Sequence, residues 1–322
     1  MRQSLIAAGM FLLTGGMVGC GTSSTQEKED LIVVDVSKDY PKKELILQDL
    51  FDVEYIPLET TDEFVTLGWL QAIGKDVMII RNMFAADIRH INRKGQGNEE
   101  YAATNGIYLD DEKGELFVGN LRQRKIMTYD LFGNFKRSFT FKEGEDEDTK
   151  SWVYYKAIFN FDRDHFICQD ASSGRNFNGA YQDLEPRNIF LIVSKQDGSV
   201  VEEIKVPFEK KVSQVLFDEK GNPCIVPYED RWLLTEPSCD TVYTYSSAEG
   251  LKPFIVRTPS IQSMSPEIFL FPGVVTDRYC FMQTVKKELN LAMMDTYYRL
   301  MRTDLVYDRE TKEVSEYVLY ND

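Results

Sequence analysis

Arginine and aromatic side chains gather in three stretches of the sequence, residues 170–187, 229–240 and 285–299. The members that we take as candidate ligand-binding residues are Arg175, Tyr181, Arg187, Arg231, Trp232, Tyr297, Tyr298 and Arg299. These residue types are enriched at binding surfaces, where a flat ring or guanidinium supplies both contact area and a polar group. The alternative is that the three stretches simply pack on each other over the core.

A second chemical signal lies near the N terminus, where Met17-Val18-Gly19-Cys20 follows a basic residue and an apolar run, Leu5–Val18. This pattern predicts a signal peptide over residues 1–20, and the run is too short to span a bilayer as a mature helix. The tetrapeptide resembles the lipobox of bacterial lipoproteins, with Met17 where Leu is usual. The resemblance implies cleavage before Cys20 and its lipidation. A secreted protein that happens to carry Cys at the cut is the alternative.

Residues 21–30 are polar throughout, which predicts a flexible tether between the lipid and a folded domain at residues 31–322. The acidic end of this tether is similar to the export tags that carry some lipoproteins to the outside of the outer membrane. A solvated linker would have the same composition. We therefore expect an outer-membrane lipoprotein, held to the membrane by its lipid, on either the surface-exposed or the periplasmic face.

The sequence predicts neither a metal site nor a cofactor. His90 and His165 each stand alone in a strand-like segment, without the spacing of metal ligands. Gly95-Gln96-Gly97 lacks the third glycine and the following helix of a phosphate loop. Four cysteines besides Cys20 are expected to be free, buried thiols, although an exported protein could form disulfides. They are Cys168, Cys224, Cys239 and Cys280.

The charge of the chain excludes one class of partner. The 322 residues include 52 acidic and 37 basic side chains, which gives a net charge of −15. Nucleic-acid binding normally requires a basic patch, so a nucleic-acid partner is not expected. Anionic membrane surfaces are disfavoured for the same reason.

The elements that would position the candidate residues are strands. Residues 105–141 contain the clearest unit, four strands joined by polar turns over about 40 residues, which is the size of one blade of a β-propeller. Similar units follow over residues 157–206, 213–257 and 273–320. We predict an all-β, six-bladed β-propeller with about five clear blades, the sixth completed by N-terminal strands from residues 31–60. Alternatively, a shortened first blade or a lost last blade leaves the ring irregular. A β-sandwich is the main alternative.

The segment Val53–Asp62 reads V-E-Y-I-P-L-E-T-T-D and alternates as a strand would as far as Leu58. It resembles the opening segment of the six-bladed β-propeller lipoproteins common in gut Gram-negative bacteria. Lys94–Tyr101 also resembles that family's K-G-x-G-P-x-E-Y pattern, with Asn98 where Pro is usual. The resemblance is specific over residues 53–141. It implies an NHL- or TolB-like propeller on a lipid tether, and it implies no enzyme activity.

In such a propeller the three stretches would join the second and third strands of successive blades and converge on one face. Our leading hypothesis is a cell-envelope binding protein that takes a protein, peptide or glycan partner through this face. The alternative is a carbohydrate-active hydrolase or lyase that uses carboxylates in the channel. Such an enzyme should bring two carboxylates together across a pocket.

Overall fold

The computed structural model describes most of the chain from residue 31 onward. The described ranges are 31–56, 68–82, 93–102, 104–120, 125–140, 155–170, 190–208, 223–289 and 300–321. They belong to one compact unit, Leu31–Asp322. The predicted signal peptide, Cys20 and the tether lie outside the described residues.

The described chain starts with β1 (Ile32–Asp35), β2 (Lys42–Ile46) and a one-turn helix, α1 (Leu47–Leu50). A two-stranded antiparallel sheet follows, made of β3 (Gly68–Ile73) and β4 (Met78–Asn82). This is the first of five sheets in the described ranges.

The strand predicted from Val53 to Leu58 is wrong over its described part, because residues 53–56 have no regular structure. Tyr55 and Ile56 are 70% and 55% exposed, so neither face of the alternating pattern is buried here. The hydroxyl of Tyr55 instead donates to Oδ1 of Asn321 at 3.1 Å. Pro57 and Leu58 lie outside the described residues.

The second sheet confirms the clearest four-strand unit of the sequence. Its antiparallel strands are β5 (Thr104–Asp110), β6 (Glu115–Asn120), β7 (Lys125–Asp130) and β8 (Phe135–Thr140). The last turn forms because the Asp130 carboxylate accepts the backbone N–H groups of Phe132 and Asn134, both at 2.9 Å. Gly133 in that turn takes a φ of 84°, which glycine adopts without steric strain.

The third sheet has the same plan. Its strands are β9 (Tyr155–Asn160), β10 (His165–Asp170), β11 (Phe190–Ser194) and β12 (Val200–Ile204). Its apolar face packs on the second sheet, where the rings of Phe117 and Phe166 meet edge to face with centroids 4.8 Å apart. Burial of large side chains between sheets therefore supplies the core, and the inner strands β6, β10 and β11 are buried along almost their whole length.

Two further sheets complete the described fold. The fourth contains β13 (Ile225–Tyr228), β14 (Arg231–Leu234), β15 (Thr241–Ser246) and β16 (Gly250–Thr258). After a short 3-10 helix at Ile261–Ser263, the fifth contains β17 (Ile268–Val275), β18 (Tyr279–Leu289), β19 (Leu300–Asp308) and β20 (Glu313–Tyr320). The described protein is thus all-β, with several small sheets and almost no helix.

The expectation that the N-terminal strands complete a sixth sheet is wrong. β1 pairs in parallel with β16, and β2 pairs in parallel with β20, so each extends a sheet that already has four strands. The outermost strand of a sheet presents unpaired N–H and C=O groups, and a further strand satisfies them. The predicted contact of residues 31–60 with the C-terminal strands is confirmed for β2, but in this different role.

Candidate functional site

A cavity of about 370 Å³ lies where the first strands of four sheets meet. The strands that line it are β3, β5, β9 and β13, with contributions from β10 and from the residues just before β13. The lining residues are Gln71, Ala72, Gly106, Ile107, Tyr108, Leu109, Ala157, Ile158, Phe159, Asn160, Gln169, Pro223, Cys224 and Ile225. The volume falls within the range of small-molecule pockets, roughly 300–1,000 Å³.

The four first strands are also end strands. In the described sheets β3, β5, β9 and β13 each have a strand neighbour on one side only. The other edge of such a strand presents backbone N–H donors and C=O acceptors that no sheet partner satisfies. The cavity therefore adjoins rows of fixed, uncharged hydrogen-bonding groups.

Three of these strands carry one extra residue relative to their neighbours. In β3, Leu70 pairs with Ile80 and Ala72 with Ile79, so one residue is left between the two pairs. Equivalent register shifts occur in β5 and β9. The extra residues are Gln71, Asn105 and Lys156. A bulge of this kind bends a strand and redirects side chains, and bulges are common beside functional sites.

Gln169 is the most deeply buried polar side chain of the cavity lining, at 8% exposed. It lies on β10 opposite Ala157, next to the bulge in β9. Its side-chain amide has no hydrogen-bond partner within the part of the chain that the structure describes. An amide offers two donors and one acceptor oxygen. This group is therefore available to a molecule in the cavity.

Two more amides and two aromatic rings also line the cavity. Nε2 of Gln71 donates to the carbonyl of Leu70 at 3.3 Å, which leaves its oxygen as an acceptor. Nδ2 of Asn160 donates to the carbonyl of Leu109 and links β9 to β5. The rings are those of Tyr108 and Phe159.

Gly106 leaves room for its neighbour in the cavity wall. A Cβ atom at this position would lie 2.3 Å from the hydroxyl oxygen of Tyr108. Residues 106 and 108 share one face of β5, because side chains two positions apart in a strand point the same way. The missing side chain therefore lets the phenol lie over the backbone.

The predicted stretch at residues 229–240 is a connection between strands only in part. Its first part contains β14, and residues 235–240 join this second strand of the sheet to the third, β15. Tyr228 pairs with Arg231 across a two-residue turn, in which Glu229 has a φ of 52°. Neither turn residue is Gly or Asn, the usual signals of such a turn, so the sequence does not predict a hairpin at this position. Likewise, residues 285–289 of the third stretch belong to β18.

Arg231 and Trp232 consequently lie on a strand, where each packs against its surroundings. Trp232 contacts Phe159 of the cavity wall, with ring centroids 5.6 Å apart. The Arg231 guanidinium lies 4.8 Å from the centre of the Tyr228 ring and 2.9 Å from Oε2 of Glu229. Trp232 thus packs against a residue of the cavity wall and is itself not part of the lining.

The remaining candidate residues lie outside the described residues, and their binding role stays a prediction. They are Arg175, Tyr181, Arg187, Tyr297, Tyr298 and Arg299. The same is true of His90. Nδ1 of His165 lies 2.9 Å from Asp162, and no group of three potential metal ligands occurs in the described ranges.

The four cysteines of the body form no disulfide, as predicted, although Cys239 is only partly buried. Cys168, Cys224 and Cys280 are buried, and Cys224 lines the cavity. Burial in apolar surroundings raises the pKa of the Cys168 thiol well above its ordinary value, so this group stays protonated.

Beyond the cavity, a buried ion pair joins the second and third sheets. Nζ of Lys195 donates to Oδ2 of Asp110 and to the carbonyl of Asp162, both at 2.7 Å. Within the second sheet, Arg137 binds both oxygens of Glu115, at 2.8 and 2.9 Å, and it also donates to the carbonyl of Lys195 at 3.3 Å. The hydrogen bonds from Arg137 are the main reason why the pKa of Glu115 falls to about 2. This carboxylate is therefore charged at neutral pH.

Comparison with known proteins places the chain in a family. The family model described as "Domain of unknown function (DUF4934)" matches residues 31–322. The chain belongs to the DUF4934 family. A search of curated proteins found no match. Among the residues that the structure describes, no helix has the length and apolar character needed to cross a membrane.

Two solved structures are similar to this DUF4934 chain. A crystal structure described as a "Putative exported protein" from Bacteroides fragilis has a TM-score of 0.54 and 14% sequence identity, covering 89% of this chain and 80% of its own. A member of the DUF4221 family from Bacteroides vulgatus has a TM-score of 0.43 and 11% identity, covering 74% and 73%. The first similarity indicates a shared fold.

The cavity residues were not among the sequence-based candidates. Gln71, Asn160 and Gln169 are neither arginine nor aromatic, and they follow no motif. One signal was present for Gln169, which follows the apolar run Phe166–Cys168 in a strand that is otherwise buried. A single amide at the end of an apolar strand is, however, common in proteins that bind nothing there.

Proposed function

We propose that the protein is an exported, lipid-anchored binding module of the β-propeller type, whose ligand lies in the cavity between the first strands. One observation carries this proposal. Four end strands from four sheets line one cavity, and a buried amide without a described partner faces it. Binding sites are typically concave, apolar in part, and supplied with a few convergent polar groups.

The contacts between sheets support the propeller arrangement. The first strands of successive sheets touch, β3 against β5, β5 against β9, and β13 against β17. In a propeller the first strand of each blade faces a common axis, which would place the cavity on that axis. The described residues supply five sheets, so the six-bladed arrangement of the sequence prediction requires one more. A crystal structure in which the first strands do not surround one axis would contradict the proposal.

The leader supports export and lipid anchoring at Cys20, and we propose an outer-membrane location. The similar Bacteroides fragilis protein is described as exported, which is consistent with this proposal. Replacing Cys20 by Ala is expected to move the protein from the membrane fraction to the soluble periplasmic fraction, because the acyl chains supply the anchoring. Fractionation and immunoblotting measure this. An unchanged membrane fraction would show that the lipid is not the anchor.

The cavity proposal is tested with small uncharged fragments screened by ligand-observed NMR on the full mature chain. Ala157→Phe adds a ring to the cavity wall and is expected to abolish binding of the fragments that the wild type binds. Val201→Phe is the matched control, because Val201 is 57% exposed on the outer strand β12. That variant should bind the fragments as the wild type does.

Either of two results would overturn the proposal. The first is that no fragment binds the wild type at millimolar concentration. The second is that the fragments bind Ala157→Phe and Val201→Phe equally well. If Ala157→Phe fails to fold, judged by circular dichroism, Gln71→Trp fills the cavity from β3 and takes its place.

A further inference from the structure

We infer that the natural ligand of the cavity is an uncharged saccharide unit, an inference that rests on the proposed function. The described residues of the lining are all uncharged, although 28% of the residues in the whole chain are charged. A charged ligand taken out of water requires a counter-charge or a dense set of hydrogen bonds. The lining offers amides, a phenol, a thiol and backbone groups, which suit a neutral polar molecule.

The amides match the chemistry of sugar hydroxyls. Each hydroxyl both donates and accepts, and a side-chain amide carries a donor and an acceptor side by side. The amide can therefore pair with two neighbouring hydroxyls of one sugar ring. The side-chain amide of Gln169 can offer both its N–H groups and its oxygen to the sugar, and Gln71 can offer its side-chain oxygen.

The backbone edges add hydrogen-bonding groups that are already held in place. Each of the four lining end strands presents donors and acceptors in alternation. The bulges in β3, β5 and β9 break the regular ladder at the cavity wall and vary the direction of these groups. Such a wall satisfies the hydrogen bonds of a ligand whose hydroxyls point in several directions better than it satisfies those of a linear ligand.

The apolar part of the wall also fits a sugar ring. Phe159 and Tyr108 offer ring surfaces, with Ile158 and Leu109 beside them. The C–H face of a pyranose ring is apolar and packs on such side chains while its hydroxyls reach the amides at the rim. The two kinds of lining are therefore both used by one ligand.

A peptide is the less favoured occupant. A peptide strand binds by pairing in register with one edge over several residues, and a typical strand of five or six residues is about 17–20 Å long. The cavity measures about 370 Å³ and is bounded by four edges. One strand cannot pair with four edges at once, whereas a compact ring can contact all of them.

The test uses the full mature protein on an array of neutral, sulfated and sialylated oligosaccharides, followed by calorimetry with the best neutral glycan. The wild type should bind neutral glycans. Gln169→Glu changes one buried amide into a carboxylate of the same shape and should weaken binding by about tenfold or more, that is about 1.4 kcal/mol per factor of ten. Gln196→Glu makes the same change on an exposed turn and should leave binding unchanged.

The outcomes separate this inference from the proposed function. If fragments lose binding in Ala157→Phe while only anionic glycans or peptides bind the wild type, the saccharide inference is wrong and the cavity proposal stands. If a neutral glycan binds wild type and Ala157→Phe equally, the cavity proposal is wrong as well. If Gln169→Glu does not fold, Gln169→Leu replaces it, and unchanged glycan affinity in that variant would overturn the inference.

Discussion

Leu109 and Asp110 are neighbours in β5, yet they belong to two regions with opposite chemistry. Leu109 lines the uncharged cavity. Asp110 is 4% exposed and lies 2.7 Å from Nζ of Lys195, in the ion-pair cluster of Asp110, Glu115, Arg137 and Lys195. The same two sheets therefore build a neutral cavity and, one residue further, a buried network of charges.

The difference shows where buried charge can be tolerated. A buried charge is stable when its hydrogen bonds are satisfied, and each of the four side chains in the ion-pair cluster has an opposite charge within 2.9 Å. The cavity holds a neutral amide without a described partner instead, for which the penalty of burial is much smaller. We interpret the ion-pair cluster as a group of contacts that stabilises the packing of the second and third sheets. Under the proposed function, the cavity is the place where a ligand satisfies the neutral amide.

Lys195→Met should produce the largest effect on stability. It leaves Asp110 buried without its cation, and removing one partner of a buried pair typically destabilises a protein by about 3–5 kcal/mol. Chemical denaturation of the two proteins measures the free energy of unfolding. Binding of fragments to the cavity should be unchanged under native conditions, because the ion-pair cluster contributes no lining residue.

The double variant Asp110→Leu with Lys195→Met tests the reason for that loss. It removes both charges and should recover much of the stability lost in the single variant. If the double variant is as unstable as the single one, the loss comes from packing around the Lys195 stem rather than from an unpaired carboxylate.

Gln169→Leu should produce the smallest effect on stability, although it weakens binding of the ligand in the cavity. The substitution removes an amide that has no partner among the described residues, so we expect the free energy of unfolding to change by less than about 1 kcal/mol. Thermal and chemical denaturation measure the change. A loss comparable with that of Lys195→Met would mean that Gln169 is a structural residue, and the contrast between the two regions would disappear.

Local patterns were sufficient where the residues that form a structure are close in sequence. The unit from Asn105 to Phe141 was predicted because its turns carry Asp and Gly at the positions that hairpins require. The free cysteines followed from their apolar surroundings. The free thiols and the second sheet are accordingly the parts of the structure that match the predictions best.

Other predictions failed for identifiable reasons. Residues 53–56 alternate like a strand but find no strand to pair with, and alternation does not specify a partner. The turn at Glu229-Asp230 uses residues that rarely mark a hairpin, so the sequence does not reveal β14. The sequence predicts that residues 31–60 complete a sixth blade against the C-terminal strands, whereas β1 and β2 extend the sheets of β16 and β20.

The sequence by itself determined the all-β class and the length of the four-strand unit, because both depend on residues within a few positions of one another. The tertiary structure decided where a ligand could bind. Gln71, Gly106, Ala157 and Ile225 come from four sheets, and a cavity between end strands has no local pattern. The bulges that redirect its lining add one residue to a strand, which alternation alone does not reveal.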